Sequence, residues 1–348
     1  MLAGLARRTI EERPFNASTP IAALQGSTTP TALHYVRNHF DVPKVDRERW
    51  RLSVGGLVAR RLGLSYADLA ARPARTLTVT MECAGNGRTR MTPVPKGTPW
   101  DEGAVSTATW TGTPLASVLS EAGIEPGAVE LLFRGLDRGV EGGREMAYER
   151  SLTVEEAHHP DVLLVWSMNG EPLPRDHGGP VRLLVPGWYG MASVKWLDAI
   201  EAIAAPFEGW FQTERYVYAD AEGRTIEPVT RMRLRALIAA PQAGSTLRAG
   251  RDATVEGVAW SGGAPVERVD VSVDGGRSWH HADLDTHPSP YAWRAFRWTW
   301  KAPPAGEATL LARAYDADGA AQPLEPPWNR YGYGQNAVTP VKVRVSPS

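Results

Sequence analysis

TVTMECAGNGRTRM (residues 78–91) carries the one cysteine in a chain of 348 residues. Upstream of Cys83, Leu77-Thr78-Val79-Thr80-Met81 is a β-prone run; downstream the chain turns through Gly85-Asn86-Gly87 and presents Arg88 and Arg90. Glycines on either side of an asparagine favour backbone angles that lift a side chain off the end of a strand. Nearby guanidinium groups depress a thiol pKa and favour the thiolate, which is the nucleophile and the metal ligand. A lone thiol also serves commonly as a small buried apolar group. The stretch by itself fixes a strand that feeds a cationic turn and leaves both readings of Cys83 open. No histidine base lies close to it in sequence.

A chain of 348 residues exceeds one ordinary core and suits two domains. With 38 basic against 39 acidic side chains there is no bulk field for nucleic acid or an anionic membrane, so any anion site is made locally. One cysteine excludes an internal disulfide, a zinc finger and a cysteine-held iron–sulfur cluster from this chain alone. Thirteen tryptophans against six phenylalanines point to pockets or interfaces that use a polar handle. Arg7-Arg8 is followed by no apolar stretch, and nothing approaches the ~20 apolar residues of a membrane span. The sequence as written reads as cytoplasmic, and as periplasmic if an export signal was removed.

Working outward, residues 51–72 read as strand, Gly-Gly turn, strand and a short helix from Ser65. TPLASVLSEAGIEPG predicts a helix with Thr113 as N-cap, Pro114 at its first position and Gly123 near its end. AVELLFRGLDRG predicts a strand into a turn, SLTVEEAHHP a helix start with a capping box, and DVLLVWSMNGEPLP a buried strand with an Asn-Gly hairpin turn. The elements alternate without a βαβ rhythm, which predicts an α+β domain over 1–230 and not a Rossmann fold. After about residue 230 the texture becomes alternating strands separated by Gly, Asp and Pro. Val269, Val271 and Val273 are expected on one face and Asp270 and Ser272 on the other, with Asp274-Gly275-Gly276 closing a hairpin. This predicts an all-β, immunoglobulin-like sandwich over 231–348.

Two further clusters carry chemistry. HYVRNHF, from His34 to Phe40, offers a guanidinium fork, an amide and imidazoles suited to phosphate or a heteroaromatic ring; a capped turn before Val42-Pro43 is the plainer reading. Residues 169–197 place Arg175, Asp176, His177, Arg182, Ser193 and Lys195 on a scaffold of glycines and prolines, a rigid loop arrangement that serves binding more than packing. His158-His159 and His280-His281 read as surface or capping residues.

Taken together, ECAGNGR, YVRNH, PLPRDHGGPVRLLVPG and SVKWL resemble the sulfite oxidase family of molybdenum–pterin enzymes, and AWSGG…VDVSVDGGRSW with PPWNRYG…NAV resemble its C-terminal dimerisation domain. The resemblance runs in order from about residue 30 to the end. It implies a molybdopterin-binding domain, a homodimer, and oxidation of sulfite to sulfate by oxo transfer at Mo-molybdopterin. It implies Cys83 as the protein's metal ligand, with Tyr35, Asn38, His39, Asp137, His177, Arg182, Ser193, Val194 (by main chain) and Lys195 holding the cofactor. Arg37, Arg88, Trp100 and Tyr148 would line an oxyanion pocket. A substrate arginine is usual in the family two residues after Trp-Asn; Tyr331 stands there, and Arg330 beside it is expected to serve instead. The turn likewise has Asn86-Gly87-Arg88 where relatives continue Asn-Arg-Arg. No haem domain is fused to the chain, so electrons are expected to pass to a separate acceptor, a c-type cytochrome or oxygen. A related reductase of nitrate or a sulfoxide is the alternative enzyme, and a non-catalytic interaction protein the alternative of another class.

Overall fold

The computed structural model describes residues 4–286, 289–325 and 328–347; Pro326 and Pro327 of the PPWN stretch lie outside the described residues. The cysteine sits at the end of the strand Arg75–Glu82, which pairs antiparallel with Val105–Pro114 from Arg75↔Gly112 to Glu82↔Val105. Period-2 alternation explains the pairing. Thr76, Thr78 and Thr80 meet Thr111, Thr109 and Thr107 in a cross-strand hydroxyl ladder on one face. Val79 and Met81, on the other, pack with Trp110 and Val165 in a core that also contains Cys83. The sheet continues through Leu163–Met168 to Glu171–Pro172, and Arg182–Leu184 also pairs with Leu163–Met168. Asn169 (φ 52°) and Gly170 (φ 82°) form the expected two-residue hairpin turn.

A second five-stranded sheet runs in the order Leu62–Ser65, Arg51–Gly56, Leu197–Ile203, Glu130–Glu141, Arg144–Thr153. Helices are few: among the described residues the α-helices are Tyr66–Ala70, Leu115–Ala122 and Val154–Ala157. The first region is therefore mostly β, with less helix than an α+β reading implies. Thr153 forms the expected capping box with Glu156, and Ser65, expected only as a helix start, forms one with Asp68. Thr113 does not cap its helix: Pro114 is the N-cap residue, and the Thr113 hydroxyl donates to the Leu69 carbonyl instead. No turn follows Leu136, because the strand runs on to Glu141 and absorbs a register shift between Arg134 and Arg138. Asp137 sits in that bulge, the kind of irregularity that re-aims a side chain.

The C-terminal region is two sheets. One has the order Arg235–Ala240, Ala253–Trp260, Arg294–Trp300, Asp283–Leu284; the other Thr246–Arg248, Val341–Ser346, Gly306–Asp316, Val266–Ser272, His280–His281. Val269, Val271, Leu310, Ala314, Val343 and Phe296 form a core between them. Asp270 and Ser272 lie off that core, and the face they occupy is itself covered: Ser272 is fully buried and Asp270 nearly so. Ser272 is bonded within the Asp274 loop, and Asp270 takes a 2.6 Å bond from His281.

This region grips the cysteine strand directly. The Trp293 amide donates to Thr80 Oγ1 at 2.7 Å, the Thr80 amide to the Tyr291 carbonyl at 2.9 Å, and the Gly334 amide to the Ala84 carbonyl at 2.8 Å. Arg235, with no exposed surface, reaches Glu82 at 3.0 Å and Glu102 at 3.3 Å, while Trp260 Nε1 donates to the other Glu82 oxygen at 2.9 Å.

Candidate active site around Cys83

The turn is held by its own amides. Cys83 N–H donates to the Ala104 carbonyl, Asn86 N–H to the Cys83 carbonyl, and Arg88 N–H to the Gly85 carbonyl. Asn86 bridges outward, donating to Glu82 and accepting from the Ala104 amide, both at 2.9 Å. Gly87 (φ +80°) makes the left-handed step. An added Cβ at Gly85 would stand 2.5 Å from the Arg88 guanidinium, so glycine is what lets that arginine lie along the turn. Burial pushes the Cys83 thiol up, and Arg37, the Gly85 amide and Arg88 pull it back.

Two chambers meet at Cys83, which, with Arg37, His39 and Tyr216, lines both. The larger, about 620 Å³, is walled by His34, Tyr35, Asp137, Asp176, His177, Arg182, Ser193, Lys195 and others. The smaller, about 440 Å³, is walled by Arg88, Lys96, Thr98, Trp100, Arg215, Tyr331 and Tyr333 beside the shared residues.

In the larger chamber Arg182 is a keystone: its guanidinium donates to the carbonyls of His177 and Ser193, both at 2.9 Å, and lies over Trp110. Burial brings its pKa down to about 10, so it remains charged. Ser193 Oγ accepts from the Val185 amide at 3.0 Å. Lys195 Nζ donates to Asn38 Oδ1 and, at 3.0 Å, to the Asp176 carbonyl. Asn38 is itself fixed by Asn16 and Phe15. Asp137 Oδ1 and His34 Nε2 are buried without a hydrogen-bond partner. Burial pushes the Asp137 carboxyl up to about 6 against the pull of Lys195, and holds His34 down at about 3 and His177 well below the usual imidazole range.

The small chamber corrects three expectations. Arg330 is exposed, and its guanidinium donates outward to the Ala221 carbonyl, away from Cys83. Tyr148 lines only the larger chamber, and its hydroxyl donates to the Met191 carbonyl at 2.7 Å. Val194 is not on either wall: its amide bonds to Ala192 and its carbonyl to Leu183. The tyrosine at the junction is Tyr216, which shares a 2.7 Å hydrogen bond with His39 Nε2. Burial pushes that phenol well above its ordinary range and holds His39 well below, so the pair is neutral. Trp100 is fully buried in the chamber wall. Arg88 donates to the carbonyls of Tyr331 (2.9 Å) and Thr98 (2.6 Å), which fixes its fork. Lys96, Arg215, Tyr216, Tyr331 and Tyr333 were missed in the sequence. NRYGYGQN does carry a signal, two tyrosines spaced by glycine; Arg215-Tyr216 carries none.

Residues 39–211 match the family described as oxidoreductase molybdopterin binding domain, and residues 227–346 the one described as Mo-co oxidoreductase dimerisation domain. Sulfite oxidase of Gallus gallus is 38% identical over 351 aligned residues, covering 93% of this chain and 75% of the relative. The chain belongs to the sulfite oxidase family of molybdopterin oxidoreductases. Mitochondrial sulfite oxidase of Homo sapiens is 39% identical and 98% of this chain aligns with it, but this chain spans only 66% of that relative's length. Among solved structures, the sulfane dehydrogenase SoxCD of Paracoccus pantotrophus superposes with a TM-score of 0.87 at 28% identity, covering 97% of this chain and 88% of that one. Among the described residues no helix is long and apolar enough to cross a membrane.

The larger chamber fits a molybdopterin. It has cations for a phosphate in Lys195 and Arg182, and orphaned buried acceptors or donors in Asp137 and His34 for a heterocycle edge. Among the described residues no cluster of three His, Cys, Asp or Glu side chains could hold a metal, so a metal on Cys83 would take its other ligands from the cofactor.

Proposed function

We propose that this protein oxidises sulfite to sulfate in the small chamber, with the molybdopterin in the large one and Cys83 ligating the metal at their junction. The observation that carries this reading is the junction itself. One buried thiol stands between a cradle with unpartnered polar atoms and a small room walled by Arg37, Arg88, Lys96 and Arg215. The cofactor, when bound, supplies a two-electron oxygen-atom-transfer centre. The chain's own residues supply the rest. Arg37 and Arg88 localise a small dianion, which planar guanidinium forks suit. In the tautomer with its proton on Nε2, His39 would donate to the Tyr216 oxygen and leave that phenolic O–H for the anion. Trp100 closes the wall to water. His177 and Ser193, tied together through Arg182, and Lys195, positioned by Asn38 behind the wall, hold the cofactor end, and Asp137 offers an acceptor or, protonated, a donor.

Sulfite and one water give sulfate, two protons and two electrons. The electrons pass to a separate acceptor, a c-type cytochrome or oxygen. The two C-terminal sheets support an immunoglobulin-like reading, with an antiparallel core between four- and five-stranded layers, and this region is the surface through which two copies would pair. Sulfite-dependent acceptor reduction by metal-loaded protein tests the function, with nitrate reduction and sulfane-sulfur oxidation run alongside. Cys83→Ser should abolish turnover and lower bound molybdenum; full activity in that variant refutes the ligand assignment. Nitrate or sulfane turnover exceeding sulfite turnover refutes the substrate.

A further inference from the structure

The four cations of the small chamber are not equivalent. Arg88 is buried and bonded to two carbonyls, and Arg37 donates to the Asn38 carbonyl. Lys96 lines both the small chamber and the cleft beyond it, but from an exposed loop position without a hydrogen-bond partner among the described residues. Arg215 is different in origin and setting. It ends the π-helical turn Trp210–Arg215, is about one-third exposed, and lines both the inner chamber and the outer cleft that opens beyond it. One nitrogen contacts Glu141 at 3.2 Å, and the guanidinium lies 5.6 Å from the centre of the Tyr331 ring. Its other N–H groups have no hydrogen-bond partner among the described residues. Its charge reaches inward: it adds to the burial that holds the His39 imidazole down, and it opposes the burial that pushes the Tyr333 phenol up. The side chain is thus held by one carboxylate and one aromatic face where the small chamber meets the outer cleft. Arg330 also borders the outer cleft but does not line the small chamber, its guanidinium donating to the Ala221 carbonyl instead.

We propose that Arg215, held between Glu141 and the Tyr331 ring, is the cation that makes the small chamber select divalent over monovalent oxyanions. The selectivity follows from Coulomb's law: one fixed cation attracts a dianion about twice as strongly as a monoanion at the same distance, so its removal is felt roughly as the square in the dianion's binding constant. Glu141 opposes this attraction and sets its strength. The inference deepens the proposed sulfite reading and rests on it for the location of the substrate.

The test is calorimetric titration of holoenzyme with sulfate and, separately, nitrate, alongside the sulfite KM. Arg215→Gln should weaken sulfate by about twentyfold and nitrate by about four- to fivefold, and raise the sulfite KM with the sulfate constant. Arg215→Lys should recover most of the sulfate affinity. Glu141→Gln should tighten sulfate by about fivefold, an effect that mere loss of packing would not produce. Arg330→Gln should leave all three constants unchanged. Sulfate affinity and sulfite KM within twofold of wild type in Arg215→Gln, or an equal loss in Arg330→Gln, overturns the proposal while sulfite turnover stands. Sulfate selectivity that depends on Arg215 in a protein that turns over no sulfite upholds the selector and sinks the sulfite reading instead.

Discussion

Replacing Arg235 by methionine tests whether the C-terminal sheets hold the cysteine turn. Arg235 has no exposed surface and lies 3.0 Å from Glu82, 3.3 Å from Glu102 and 3.4 Å from the Asn86 carbonyl. Methionine fills the space but leaves the buried Glu82 without its cation and Glu102 with only the longer Arg90 contact at 3.7 Å. Breaking a buried pair by removing one partner costs about 3–5 kcal/mol, because the surviving charge stays desolvated. An unfolding entropy of about 2.1 cal/mol/K per residue, over the whole chain, is roughly 0.7 kcal/mol/K, so Tm should fall by about 4–7 °C. Calorimetry on metal-free protein reads this directly. Arg235→Met combined with Glu82→Gln should regain part of the loss, since the uncompensated carboxylate next to Cys83 is gone. A shift of less than about 1 °C in Arg235→Met, with no recovery in the pair, would refute the reasoning.

Two other predictions concern protons and hydroxyls. His34 is buried neutral with its pKa held at about 3, below the ordinary 6.5, and His177 is shifted the same way. A depressed base adds stability above the unfolded pKa that is lost as pH falls toward the folded one, so metal-free protein should lose Tm steadily between pH 6.5 and 4. His34 alone is worth on the order of 5 kcal/mol between its unfolded and folded pKa, and His34→Gln should flatten the decline; an unchanged slope argues against a neutral buried imidazole. Tyr148→Phe should cost about 1 kcal/mol of stability and leave the sulfite KM near wild type, whereas Tyr216→Phe should lower kcat/KM by about tenfold or more. Steady-state kinetics giving the reverse order would return the substrate-facing role to Tyr148.

The local physics of this chain was legible where the determinant was local. The alternation Leu77–Met81, the Gly-Asn-Gly turn, the Ser65 helix start, the Thr153 capping box and the Asn169-Gly170 hairpin all formed as their residue types dictate. Thr113 failed as a cap because a tertiary acceptor, the Leu69 carbonyl, competed for its hydroxyl. Asp270 keeps the alternation, on the face away from the Val269 and Val271 core, yet is buried there because His281 on the neighbouring strand pairs with it. The large chamber's residues lay in contiguous segments, so sequence reached most of them. The small chamber is assembled from segments as far apart as Arg37, Arg88, Arg215 and Tyr333, and its tyrosine and third cation come from a π-helical turn without a periodic signature. Proximity of that kind is fixed by packing alone.

The partition at Cys83 also bears on how such proteins diversify. Under the proposed assignment, the room for the prosthetic group and the room for its guest share, among the described residues, Arg37, His39, Cys83 and Tyr216. Substitution at Lys96, Arg215 or Tyr331 would then re-address the guest while the cradle behind it keeps its own walls. Retention and appetite would thus be separately adjustable in one polypeptide.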